Sequence, residues 1–167
     1  MDDKDYMTLS SDRRTAIVML AMGLAALAAA FGAQDFLGMA PCELCLWERW
    51  PYRILVLLGV LAVLLPGSGR QLCLWLGVLA LLANVGIAFV HVGVEWHWWP
   101  SPLPECSASN LVTHDLAGLM KSLPARPAKP CDAPNFLIPG LPVSFAAMDL
   151  LYAVVCSAVI GMRLRRR

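Results

Sequence analysis

"PCELCLWERWPYRILVLLGVLAVLL", residues 41–65, holds two cysteines three apart, a Glu-Arg pair, a further arginine and then an unbroken apolar run. From Leu46 to Leu65 the charges are Glu48, Arg49 and Arg53, all in the first turns. About twenty residues at about 1.5 Å each reach about 30 Å, the thickness of a bilayer's hydrocarbon core. Backbone in that core must satisfy its own hydrogen bonds, so the stretch reads as a helix over about 43–65. Pro51 removes one of those bonds and predicts a kink between the cysteine turn and the helix below it. Thiols and charges at the mouth of such a helix point to chemistry at a membrane edge.

Outward from this stretch the pattern repeats. Thr15–Ala33 is uncharged, Leu72–Val90 has one strongly polar residue, Asn84, and Val143–Met162 has one charge, Asp149. The 167 residues are 59% hydrophobic and 15% charged, whereas soluble domains are roughly 45–50% apolar and about 25% charged. The expected fold is an all-α membrane protein, a single four-transmembrane-helix bundle with helices over about 15–34, 43–65, 71–92 and 142–163. The first stretch could instead be a signal peptide, but its apolar run exceeds the roughly 7–15 residues of such segments. A net charge of +1 argues neither for nor against nucleic acid, and no nucleic-acid partner is expected.

Basic residues set the orientation. Lys4, Arg13 and Arg14 precede the first helix, Arg70 lies between the second and third, and Arg163, Arg165, Arg166 and Arg167 end the fourth. Lys121, Arg126 and Lys129 are spread through the long loop over about 93–141. Both termini are therefore expected in the cytoplasm and the long loop outside. Eight of the twelve prolines fall in that loop and a ninth, Pro142, follows directly, which predicts mostly irregular chain. Asn110–Leu123 differs: Leu111, Val112, Leu116, Leu119, Met120 and Leu123 share one helical face, suited to a membrane surface or to packing on the rest of the loop.

This topology puts Cys42, Cys45, Cys106 and Cys131 on the outer side, where disulfides persist. Cys73 and Cys156 lie within helices and read as small apolar residues. A Cys106–Cys131 bridge could be purely structural, closing about 25 residues and contributing roughly 3 kcal/mol. A Cys42–Cys45 bridge closes almost no loop, so its spacing reads as redox chemistry. Zinc is not expected, because His91, His97 and His114 lack finger-like spacing. The helix N-terminus and Arg49, one turn after Cys45, would both favour thiolate; Arg49 could alternatively be an interfacial arginine. The chain has no GxGxxG, P-loop or CxxCH motif. A lipid-soluble electron acceptor, such as a quinone, suits a dithiol placed there.

The motifs "PCELCLWERWPYR", "HVGVEWHWWPSPLPEC" and "PCD" together resemble the DsbB family of bacterial inner-membrane proteins. The resemblance spans the whole expected architecture. It implies a protein-dithiol:quinone oxidoreductase that reoxidises a periplasmic, DsbA-like thioredoxin-fold partner and passes the electrons to ubiquinone or menaquinone. Residue by residue, it implies Cys45 as the quinone-facing cysteine, Cys42 as its relay, Cys106 as the partner-attacked loop cysteine and Cys131 as the second. The implied disulfides are Cys42–Cys45 and Cys106–Cys131. Arg49 and His91 match quinone-contacting positions, although His91 could be an interfacial histidine without a ligand. Many members carry a Trp-Asn-like pair early in the fourth helix; here the text is "PGLPVSFAAMDLLY", with Asp149 near that place. Asp149 reads as either a functional carboxyl or a helix-to-helix hydrogen bond. Alternatives are a specialised paralogue with one dedicated substrate and a four-span scaffold stapled by disulfides. A relative of the vitamin K epoxide reductase family ranks lower, because there the loop pair precedes the CxxC.

Overall fold

A computed structural model describes residues 3–103, 106, 129–137, 140 and 142–165. It contains four long helices among them: α1 (Asp3–Asp35), α2 (Glu43–Leu64), α3 (Gly67–Glu95) and α4 (Phe145–Arg165). No strand occurs among the described residues beyond an isolated bridge between Phe136 and Ser144.

The helices differ from the expected spans at their ends. The helix expected over 15–34 begins at Asp3, because an apolar run marks a membrane crossing and not where a helix must stop. Its span-competent part is Ser11–Asp35. α2 runs unbroken through Pro51 from Glu43, so the expected kink does not interrupt the helix. α3 begins just after Pro66, where Gly67 takes a φ of +60° that a side chain would resist. That glycine lets α2 turn directly into α3. α4 begins three residues late because Ser144 caps it: Ala147 N–H donates to Ser144 Oγ at 3.2 Å.

Three of the helices, α1, α3 and α4, are long and apolar enough to cross a membrane. α2 is 22 residues long but carries Glu48, Arg49 and Arg53 in its first half. The amphipathic segment expected over 110–123 lies outside the described residues.

α2 packs between α1 and α3, and α3 packs on α4. Small residues bring the axes close. A Cβ on Gly59 would stand 2.9 Å from Leu20 Cβ, and one on Gly77 would overlap the Met19 side chain. Met19, Leu55, Leu74, Leu81, Cys156 and Ile160 fill the centre, and Cys73 joins the same cluster. Large apolar side chains also point outward, among them Leu57, Leu79 and Leu151, each about 60% exposed. A bundle that is apolar on its outside as well as its inside matches a lipid environment. Buried Arg70 donates through Nε to Ala62 O at 2.9 Å, satisfying a carbonyl in the last turn of α2.

Candidate active site

Cys42 is the N-cap of α2, and its Sγ accepts a hydrogen bond from Cys45 N–H at 3.3 Å. This fixes Cys42 over the first turn and aims both side chains the same way. Their sulfurs are 2.7 Å apart, and both are free thiols. The disulfide expected between them is not formed in this structure, which holds the pair as a dithiol. The hydrogen bond from the Cys45 thiol holds the Cys42 thiol below its ordinary pKa, against burial, which pushes it up.

Two further side chains close on these thiols. His91, near the end of α3, places Nε2 3.4 Å from Cys42 Sγ. Its Nδ1 lies 2.8 Å from Glu48 Oε1. Both are almost fully buried, at 2% and 5% exposure. A carboxylate buried beside an imidazole is far less costly than one left alone. The Glu48 bond favours a proton on Nδ1, and Nε2 faces Cys42.

Arg49 lies on the neighbouring side of α2. One guanidinium nitrogen donates to Gln34 Oε1 at 2.9 Å, and the group stands 4.9 Å over the Phe31 ring. Its hydrogen-bond and ring partners are thus on α1, whereas the sequence places it beside Cys45 as a counter-charge. The two residues nevertheless share a cavity of about 260 Å³ between α1, α2 and α4. Its α1 wall is Ala25, Ala26, Ala29 and Ala30; Glu48, Tyr52 and Asp149 add polar groups. His91, expected at the same ligand, does not line this cavity and faces the thiols.

The loop cysteines meet α2 from outside. Cys106 and Cys131 are joined by a disulfide, and both are buried with Cys42, Leu44 and Val94 in one cluster. Cys106 also borders an open cleft of about 360 Å³ with His97, Trp99, Ser101 and Asp132. Cys131 does not border that cleft.

Two features of the α3 terminus hold the cleft. Trp98 N–H donates to Gly93 O at 2.9 Å and His97 N–H to Val94 O at 3.1 Å, a double bond pattern that needs a left-handed residue between them. That residue is His97, with φ of +58°, where glycine is usual. Trp99 folds back onto Gly93 and donates its indole N–H to Val90 O at 3.2 Å. A Cβ on Gly93 would lie 2.0 Å from the Trp99 ring.

Sequence reasoning missed Glu48 as a partner of His91, Gln34 as a partner of Arg49, and Tyr52. Glu48 carried a signal, since a carboxylate three residues into a helix beyond a CxxC needs a partner. Gln34 and Tyr52 carried none.

An all-helical membrane framework that gathers a dithiol and a disulfide into one buried cluster defines a membrane thiol–disulfide protein. Comparison with known proteins bears on which kind. The model of the family described as "Disulfide bond formation protein DsbB" matches residues 12–162, and the chain belongs to that family. It is 29% identical over 105 residues to Disulfide bond formation protein B of Pasteurella multocida, covering 62% of this chain and 58% of that one. To the protein of the same name in Polaromonas naphthalenivorans it is 30% identical over 130 residues, covering 75% and 71%. To that of Psychrobacter sp. it is 32% identical over 95 residues, covering 54% of each. The matched region thus spans little more than half of some relatives. No solved structure matches the chain. Family and apolar helices together make this a multi-pass membrane protein of the DsbB family.

Proposed function

We propose that this chain moves electrons from a periplasmic dithiol partner to a membrane quinone through its two cysteine pairs. The observation that carries the reading is the position of Cys42. It packs with Cys106 and Cys131 on one side and holds Cys45 at 2.7 Å on the other. Cys106 opens to an outer cleft, and Cys45 opens to the cavity between helices. A relay with one opening toward water and one toward lipid is what such a transfer requires.

One thiolate of the reduced partner attacks Cys106 Sγ, breaking the Cys106–Cys131 bond and releasing Cys131 as thiolate. The partner's second thiolate attacks the mixed disulfide, releasing Cys106 and leaving the partner oxidised. Cys131 attacks Cys42 of a Cys42–Cys45 disulfide, and Cys106 then displaces Cys42. Two electrons have passed inward, the loop disulfide is restored, and Cys42 and Cys45 are left as the dithiol seen here. His91 Nε2 can accept the Cys42 proton, and Glu48 stabilises the resulting charge.

The cavity suits an aromatic headgroup: its wall on α1 is four alanines, and Arg49 can donate to a carbonyl oxygen. A quinone bound there would supply the two-electron acceptor. Arg49 orients a ligand oxygen from a site held by Gln34 and Phe31, so its fork is in place beforehand. With eight basic residues on one side and three on the other, four spans with both termini inside and the active site facing the periplasm fit best. α2 can cross despite its charges: Glu48 is buried against His91, Arg49 is buried and bonded to Gln34, and Arg53 lies over the Trp50 ring.

The test is anaerobic mixing of reduced protein with ubiquinone and menaquinone analogues, alongside Cys42→Ser and Cys45→Ser. Quinone reduction should disappear in both variants. Full turnover in either would sink the reading.

A further inference from the structure

The dithiol is not surrounded as a disulfide site alone would require. Cys42 Sγ, Cys45 Sγ and His91 Nε2 all lie within 4.8 Å of one another. The sequence hid this grouping, since the two thiols are on α2 and the imidazole is 49 residues from Cys42 on α3. From the geometry we infer that the reduced pair, with His91, is a binding site for a thiophilic cation of the Zn²⁺ type.

Four observations meet the demands of that chemistry. First, a tetrahedral ion with bonds of about 2.3 Å to sulfur and about 2.0 Å to nitrogen sets its sulfur and imidazole ligands about 3.5 Å apart. Cys42 Sγ and His91 Nε2 are 3.4 Å apart. The sulfurs must open from 2.7 Å to about 3.8 Å, a small rotation of Cys45 toward the cavity it already borders. Second, His91 shows the arrangement of a ligating histidine: its far nitrogen is held by a buried carboxylate, Glu48, at 2.8 Å. Third, Cys45 N–H already donates to Cys42 Sγ, the kind of bond that supports a metal-bound thiolate. Fourth, the cavity beside Cys45 gives a route in and room for a fourth ligand, such as water.

Charge argues the same way. Two buried thiolates beside Glu48 would be costly at a membrane edge. Two thiolates around Zn²⁺ are neutral as a unit. Binding converts two thiols and one Zn²⁺ into the complex and two protons, with no electron transferred. A disulfide offers no thiolate, so binding selects the reduced state and holds it there. That last consequence, a reversible block on turnover, rests on the relay proposed above; the binding site itself does not.

Co²⁺ titration of the full chain in detergent tests the site directly. The protein is reduced first, and the reductant is then removed. One Co²⁺ per chain should bind, with sulfur-to-metal charge-transfer absorption and the intense visible bands of a tetrahedral ion, and Zn²⁺ should displace it. The oxidised protein should show neither, an arm that needs no mutation. Glu48→Gln should weaken binding by about 10–100-fold. Cys45→Ser should remove the charge-transfer intensity of one sulfur and weaken binding further. Equal binding by oxidised and reduced protein, or a weak octahedral spectrum, would overturn the site. Zn²⁺ that binds as described yet leaves quinone reduction unchanged would support the site and count against these thiols as the relay.

Discussion

The Tyr52 hydroxyl donates to Asp149 Oδ1 across 2.7 Å, joining α2 to α4 on the wall of the cavity that Cys45 faces. Asn84 of α3 donates to the other oxygen, Oδ2, at 3.0 Å. One carboxyl therefore ties three helices together. A carboxyl at that depth is costly unless it is paired, and here both oxygens are. The duller of the two sequence readings of Asp149, a helix-to-helix bond, describes its partners.

Asp149→Leu should destabilise the bundle, because it strands the Tyr52 and Asn84 donors. Bonds between membrane helices are worth about 0.6 kcal/mol on average and up to about 1.7, so the combined loss should be about 1–3 kcal/mol. Asp149→Asn should cost much less. Asn84 Oδ1 is buried without a partner, and once the Asn84 amide turns over it can accept from the new amide, whose oxygen still accepts from Tyr52. Thermal unfolding in detergent ranks the two. Equal losses would mean that the charge, not the bonding pattern, holds the helices.

How much of this site the sequence exposed depends on how far apart its parts lie in the chain. Cys42, Cys45 and Arg49 were legible because one helical turn fixes their relation locally. The CxxC at the mouth of an apolar run gave both the membrane and the redox reading. Glu48–His91 and Tyr52–Asp149 were not legible, since each bond crosses between helices and depends on their rotation. His97 was hidden for another reason. Glycine usually marks a left-handed helix end, and a histidine there gives no signal. The length of α1 was misjudged because hydropathy measures the lipid crossing, whereas helical hydrogen bonding continues into water.

Cys42 reactivity should depend on Cys45 in a definite direction. The Cys45 thiol lowers the Cys42 pKa by donating to its sulfur, so Cys42 should alkylate at a lower pH than an ordinary thiol. Cys45→Ala removes the donor, and the alkylation midpoint of Cys42 should move up. Cys45→Ser keeps a hydroxyl donor and should move it less. Iodoacetamide rates across pH, followed by mass spectrometry at Cys42, give both midpoints. A downward move in Cys45→Ala would show that burial by the neighbour outweighs its hydrogen bond.

Gly93→Ala should loosen the outer cleft. The added Cβ meets the Trp99 ring at 2.0 Å, so the indole must leave and its bond to Val90 must break. Overpacking of this kind typically costs about 1–3 kcal/mol. Trp99 packs against the cluster that buries Cys106 and Cys131, so their disulfide should be reduced faster by a small thiol reagent. Stopped-flow reduction with dithiothreitol measures it. An unchanged rate would mean that the loop is held by contacts other than Trp99.

Arg49 carries the last prediction, because the structure changes what its substitution should do. Its guanidinium is anchored on α1, by Gln34 at 2.9 Å and over Phe31, and it borders the cavity together with Cys45. Arg49→Lys keeps the charge but loses the planar fork that can reach Gln34 and a ligand oxygen together. Arg49→Gln loses both. Gln34→Leu keeps the arginine whole and removes only its anchor. If Arg49 acts by presenting donors to a quinone oxygen, the apparent quinone KM should rise in the order Gln34→Leu, Arg49→Lys, Arg49→Gln. Loss of one hydrogen bond to a charged group costs roughly 1.5–3 kcal/mol, so the last step should exceed about tenfold. Reduction of the loop disulfide by dithiothreitol should stay unchanged in all three, since Cys106 opens to the other side. A KM that moves in Arg49→Gln but not in Arg49→Lys would assign the role to charge alone. No movement in either would make Arg49 a strut between α1 and α2 and put the acceptor elsewhere.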